Sequence, residues 1–296
     1  MENNTQRALL VATDFSARAE YAVDYGAALS RQKAYELFLL HVFNPEVRNG
    51  HGLAEHAYGH ARRLLEGTID KYSSKYLIEI NGMLETGNIF TAIHETARKI
   101  KADMLVMPMH KKVGIQKLIG RFAFRVIATS PVPVMVVQHP HEFRGIGRLL
   151  VPLDLARPID ENLDHAIGFA SRYNSTLVIY SVTDTPGFLP AFILKRELSY
   201  IKSRIEKHGL QCETHLVQKP FQPVYRHIVD QARKERADAI LLMARSEDNN
   251  DHLFIGGTAG RVIENAEVPV VVYAPASVPK APKVFPSLLR KMLVKG

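Results

Sequence analysis

The chain has 296 residues, 46% hydrophobic and 23% charged, the composition of a globular protein long enough for two ordinary domains. Its net charge of +8 looks like a nucleic-acid signal, yet Lys280, Lys283, Arg290, Lys291 and Lys295 all sit in the acid-free stretch 276–296, so the rest is nearly balanced and a nucleic-acid face is not expected. No run approaches the ~18 apolar residues of a membrane span, the opening MENNTQRALLVATD lacks the pattern of a secretory leader, and a single cysteine, Cys212, rules out an intramolecular disulfide, so a cytoplasmic address is expected.

The first apolar run, Ala8–Thr13, has strand length. Ser16 then stands where a helix cap is wanted, and a small-residue face of Ala19, Ala22, Val23, Gly26 and Ala27 predicts a helix through Arg31. Further strands are expected at 37–43, 77–84, 104–107 and 132–137, with helices at 53–75, 88–101 and 119–128. The order then repeats. Strands are expected at 148–153, 176–182, 213–217, 239–243 and 268–273, and helices at 159–173, 191–208, 222–236 and 258–265. Strands this free of polar residues belong in parallel sheets covered on both faces.

The repetition is visible in the letters. Leu9–Asp14 reads LLVATD and Leu149–Asp154 reads LLVPLD; Arg125–Val137 reads RVIATSPVPVMVV and Arg261–Tyr273 reads RVIENAEVPVVVY. Ala97–Val106 (ARKIKADMLV) pairs with Ala232–Leu241 (ARKERADAIL). A unit of this size is a domain rather than a solenoid repeat. The expected organisation is a first domain at 1–140, a second at 146–275 and a tail at 276–296. Each domain should be an α/β doubly wound unit with a five-stranded parallel sheet. In such sheets ligands bind beyond the C-terminal strand ends, near the switch point. That singles out Thr13, Asp14, Phe15, Val42, Asn44 and 108–121 in the first copy, and Asp154, Val182, Asp184 and 244–258 in the second.

The segments VATDFS, LLHV, ADMLVMP and PVPVMVV resemble the strand ends of universal stress proteins, and the order and spacing match over nearly all of residues 6–275. The resemblance implies two fused domains of the adenine nucleotide alpha hydrolase-like fold, packed about a pseudo-twofold axis through their last strands. Members that bind ATP carry Gly-x2-Gly-x9-Gly-Ser/Thr after strand four. Glycines there let the backbone approach phosphates, and the last pair opens a helix whose free N–H groups favour an anion.

In the first copy this frame falls on Pro108, Lys111 and Arg121; proline has no N–H to donate, and the other two are bulky. In the second it falls on Met243, Ser246 and Gly256, with Ala244 as a small neighbour and Gly256-Gly257-Thr258 as a helix-opening turn. Glu247, Asp248 and Asp251 between them would repel a polyphosphate unless a cation such as Mg²⁺ intervened. By the resemblance, Asp14 and Asp154 meet the ribose side of a ligand, and Val42 and Val182 line the adenine. An Asp after the first strand can equally cap the next helix.

The expected function is therefore regulatory binding of ATP or another adenine nucleotide in at most one copy, the second. The alternative is a nucleotide-free interaction module whose clefts take another ligand or protein. No Gly-x-Ser-x-Gly elbow, Walker motif or zinc-spaced cysteine set argues for an enzyme. His56 and His60 sit four apart beside His51 and Glu55; a solvent-facing histidine-rich helix is the expectation over a zinc site. The tail carries Phe285, Leu288, Leu289, Met292 and Leu293 at helical spacing beside its cations, a stripe that could pack on its own domain, dock a partner or lie on an anionic surface. A homodimer stays open as well.

Overall fold

The computed structural model describes residues 7–44, 51–109, 117–155, 157, 159–183, 191–218, 220–244 and 257–274. The first half runs β1 (Ala8–Ala12), α1 (Ala17–Lys33), β2 (Glu36–Phe43), α2 (His51–Tyr76), β3 (Ile80–Thr86), α3 (Ile89–Lys99), β4 (Ala102–Pro108), α4 (Lys117–Thr129) and β5 (Val134–Val137). The second runs β6 (Arg148–Pro152), α5 (Asp160–Tyr173), β7 (Thr176–Thr183), α6 (Ala191–Glu206), β8 (Cys212–Gln218), α7 (Val224–Lys234), β9 (Ala239–Met243), α8 (Gly257–Asn265) and β10 (Val270–Tyr273). Both halves are α/β, as their alternating pattern predicts.

All ten strands join one sheet in the order β3-β2-β1-β4-β5-β10-β9-β6-β7-β8. Within each half the pairing is parallel, and the strand order reverses between β1 and β4 and between β6 and β9. The halves meet where β5 and β10 run antiparallel, with Val136 opposite Val270, Met135 opposite Val271 and Val134 opposite Val272. That register is symmetric about the Met135–Val271 pair, so the expected pseudo-twofold relation is built inside the chain. The antiparallel join also inverts one half, so the C-terminal strand ends of the two halves lie at opposite ends of the sheet. The last strands are consumed by each other, which leaves β3 and β8 as the outer edges.

Alternate residues of each strand feed two cores, one per face. Leu9, Val11, Leu37, Leu39, Leu149 and Val151 pack with residues of α1, α2, α5 and α6. Leu10, Leu40, Leu105, Leu150 and Ile240 pack with residues of α3, α4, α7 and α8. Helix α1 starts as expected, with Ser16 Oγ accepting from Ala19 N at 3.2 Å. It lies so close to β1 that a Cβ on Gly26 would stand 2.6 Å from Val11 Cγ2. Contacts near the axis bind the halves further. Tyr35 and Tyr173 share a hydroxyl–hydroxyl hydrogen bond of 3.0 Å, and Arg172 reaches Asp103 at 3.6 Å.

Three expected strands begin late. The third spans Ile80–Thr86 rather than 77–84, because α2 continues to Tyr76 and Leu77 closes it in the left-handed region, φ 52°. The last strand of each half starts after a proline, at Val134 and Val270. Pro133 and Pro269 only accept, from Leu105 N and Ile240 N. No helix among the described residues is long and apolar enough to cross a membrane. The tail stripe of 285–293 lies outside the described residues.

Candidate functional site

The second-half crevice opens where β6 and β9 part. Their ladder holds Leu149 to Ala239 and Leu150 to Ile240 and then stops, whereas β1 and β4 stay paired through Val11 and Val106. The sequence supplies a reason. Leu153 N donates to Tyr180 O in β7 at 2.9 Å, so the alternate residue Pro152 faces β9, and it has no N–H to give.

Asp154 flanks this opening from the end of β6. It is exposed, and its Oδ2 accepts from Arg157 Nε at 3.1 Å. Ala244 flanks it from the end of β9, 2% exposed, its N–H donated to Tyr273 O at 2.7 Å. That bond keeps the Ala244 amide from an anion, so its contribution is small size. Val182 lies beside Val217 in register, half-buried against the α7–α8 core. Gly257 and Thr258 open α8, both exposed, and a Cβ on Gly257 would meet nothing within 4 Å among the described residues. Asp154, Val182, Ala244, Gly257 and Thr258 thus gather at one end of the second half. Ser246 and Gly256, along with Asp184, Glu247, Asp248 and Asp251, lie outside the described residues.

The first half has the same frame with different fittings. Asp14 is exposed and its Oδ1 accepts from Ser16 N at 3.0 Å, so it braces the turn while Ser16 caps the helix. Phe15 takes φ 60° there, held by its N–H to Thr13 Oγ1 at 3.1 Å. Val42 sits half-buried against the α3–α4 core and in register with Glu85. Met109, 2% exposed, occupies the position equivalent to Ala244. A methionine there fills volume that alanine leaves free. The frame counted for glycines passes over this residue, though its side-chain size was legible. Lys111 lies outside the described residues, and so does the side chain of Arg121.

A second feature is His41, which lies within the LLHV segment but draws no notice there as a site residue. Its Nδ1 lies 2.8 Å from Thr13 O and its ring 4.3 Å from that of Phe15. Burial pushes its imidazole below the usual histidine range, against the opposing pull of the Thr13 carbonyl and the Asp14 charge. The second half has Ser181 at the equivalent place, fully buried, its hydroxyl unpartnered among the described residues.

One cluster has the side chains of a metal site, Glu213, His215 and Glu235. Arg148 already serves it. Its Nη1 and Nη2 donate to the two Glu213 oxygens at 2.8 and 2.9 Å, and Nη2 also donates to Glu235 Oε2 at 2.7 Å. A cation would have to displace the guanidinium, so the group reads as an ion-pair knot tying β6, β8 and α7 at the end away from the crevice. His56 and His60 stand exposed on α2, with no third ligand gathered around them among the described residues. Cys212 is buried and its thiol is pushed up to about 11 by that burial, which suits a packing role.

The fold and its two switch-point crevices define a duplicated doubly wound α/β protein. The universal stress protein family model matches it twice, at residues 6–138 and 145–274. The chain belongs to the universal stress protein family, with two such domains in tandem. A universal stress protein of Methanocaldococcus jannaschii is 28% identical over 139 residues, covering 42% of this chain and 80% of that protein. A universal stress protein structure from Archaeoglobus fulgidus superposes with a TM-score of 0.71 at 18% identity, covering 90% of this chain and 96% of that one. A functionally unknown protein from Pseudomonas aeruginosa gives 0.56 at 17%, covering 92% and 94%. At these identities the two structures establish a shared fold.

Proposed function

We propose that this tandem universal stress protein is a cytoplasmic regulator that binds an adenine nucleotide in its second half and acts by binding rather than by turnover. The observation that carries the reading is the asymmetry between the crevices. At the end of β9 stands the small Ala244, beside a β6–β9 ladder that stops at Leu150–Ile240; the first half has the larger Met109 at the equivalent place and pairs β1 with β4 through Val11–Val106. Val182 lines the adenine and Asp154 meets the ribose. The turn Gly256-Gly257-Thr258, with Ser246, takes the phosphates at the start of α8. Mg²⁺ offsets Glu247, Asp248 and Asp251, which are close in sequence to that turn.

The test is mass spectrometry of small molecules released from the purified chain on denaturation, then calorimetric titration with ATP, with and without Mg²⁺. One adenine nucleotide per chain, lost in Gly256→Asp, is the expected result. Undiminished binding in that variant overturns the site. Met109 and Pro108 also favour a second reading, in which the first cleft serves another ligand or a protein partner; nucleotide-free protein with no heat of binding would select it. The basic tail is the natural partner contact in that case, and its removal would then abolish capture.

A further inference from the structure

A groove of about 370 Å³ runs between the end of β3 and helix α3 in the first half. It lies outside the crevice between β1 and β4. Glu85 lines it from the strand, and Ala92, Glu95, Thr96 and Lys99 line it from the helix. The volume is within the range of small-molecule sites.

Its charges are unspent. Glu95 and Lys99 stand one helical turn apart, the spacing at which Arg62 pairs with Glu66 and Lys202 with Glu206 in this chain. Among the described residues, neither Glu95 nor Lys99 forms an ion pair, and Glu85 forms none either. Thr96 is 3% exposed and lines the groove beside them.

The second half carries different side chains at the same place. His227, 6% exposed, stands where the first half has Ala92, and packs edge-on against Phe221 at 4.9 Å. The equivalent of Glu95 is Asp230, which accepts from Gln222 Nε2 at 2.9 Å and faces Arg233 at 3.6 Å. The equivalent of Thr96 is Gln231, which donates to Glu235 at 2.7 Å. Val217 replaces Glu85. There Asp230 and Gln231 are each paired within their own helix and its approach, and His227 is bulkier than Ala92, with its Nε2 unpartnered among the described residues.

We propose that the first-half groove binds a free α-amino acid, its ammonium taken by Glu85 and Glu95 and its carboxylate by Lys99. Two carboxylates with one ammonium match a zwitterion whose positive end needs the stronger hold. Lys99 disfavours a polyamine, since it would repel the second cationic end. Among the described residues Ala92 is the lone apolar side chain lining the groove, too little surface for a nucleobase or a long aliphatic chain.

The experiment is calorimetric titration of the full chain with each of the common amino acids, with putrescine as a probe lacking the carboxylate and acetate as one lacking the ammonium. Two variants accompany it. Ala92→His copies the second half, and Glu95→Gln alters an exposed position that leaves the fold intact. Saturable binding of at least one amino acid is expected, weakened about tenfold or more in both variants, with ATP titration unchanged in both. No saturable heat up to about 10 mM, tight enough to detect weak sites, overturns the proposal. So does binding within twofold of the parent in folded Ala92→His or in Glu95→Gln, or putrescine or acetate binding as well as the best amino acid. Because the nucleotide titration is read separately, loss of one site does not imply loss of the other.

Discussion

Met135 lies directly opposite Val271 at the centre of the β5–β10 ladder, and both side chains are fully buried. The pair is the pivot of the internal dyad, so a cavity there is felt by both halves. Met135→Ala is expected to cost about 2–4 kcal/mol, the usual range for such a core truncation. Hydrogen exchange should show amides of β4 and of β9 losing protection together. Loss confined to the first half would mean that the halves unfold independently.

The crevice asymmetry makes a reciprocal expectation. Ala244→Met should copy the first half into the second and reduce nucleotide affinity at least about tenfold, while the overpacking costs about 1–3 kcal/mol. Calorimetry reads the first effect and urea denaturation the second. Affinity unchanged in a folded Ala244→Met protein would remove Ala244 from the cleft wall.

The Arg148 knot should be an acid-sensitive brace. The Arg148 hydrogen bond is the main cause that holds the Glu213 carboxyl below its ordinary value of 4.5. A carboxylate lowered on folding stabilises above its unfolded pKa, and that contribution fades as pH falls through the folded value. Glu213 is 45% exposed in its side chain, so screening keeps the effect near 1 kcal/mol or less. Glu213→Gln should therefore melt lower than the parent at pH 7 and equally at about pH 2, well below any carboxylate range. A difference that persists in acid would point to packing instead of charge.

Histidines set a second, higher window. Burial is the leading cause that lowers His41, His94 and His141 from 6.5. Unfolded chain then takes protons before folded chain does, so stability falls as pH drops below 6.5. Melting temperature should decline from pH 7 to 5, with a shallower slope in His41→Gln. Resonances of the His41 ring should titrate below the ordinary histidine value of 6.5; a titration at or above that value would contradict the buried setting.

Much of this architecture could be read in the letters. Unbroken apolar runs such as Ala8–Ala12 and Ala239–Met243 mark strands covered on both faces, and the paired LLVATD and LLVPLD mark the duplication. Edges were harder. Leu77 and Ile78 look like strand, yet Leu77 is 77% exposed because its left-handed backbone ends a helix, a matter of conformation and not of hydropathy. The positions of Asp14, Val42, Asp154 and Val182 at the C-terminal strand ends are legible in the sequence. The volume at Met109, the bond that occupies Ala244 N–H and the ladder cut short beside Pro152 depend on register and neighbours. So does the pairing of Arg125 over Phe90 at 4.4 Å with its counterpart, Arg261 over Tyr225 at 5.4 Å, since each joins residues far apart in the chain.

A dimer of identical subunits cannot change one of its two clefts without changing the other. Here the dyad at Met135 and Val271 is covalent, and each side carries its own inheritance. One copy carries Met109 and Ala92 where its sister carries Ala244 and His227, with a groove beside Ala92. Fusion also fixes their ratio at one to one, so any ligand bound by one half and any bound by the other are held by the same molecule, at opposite ends of a single sheet.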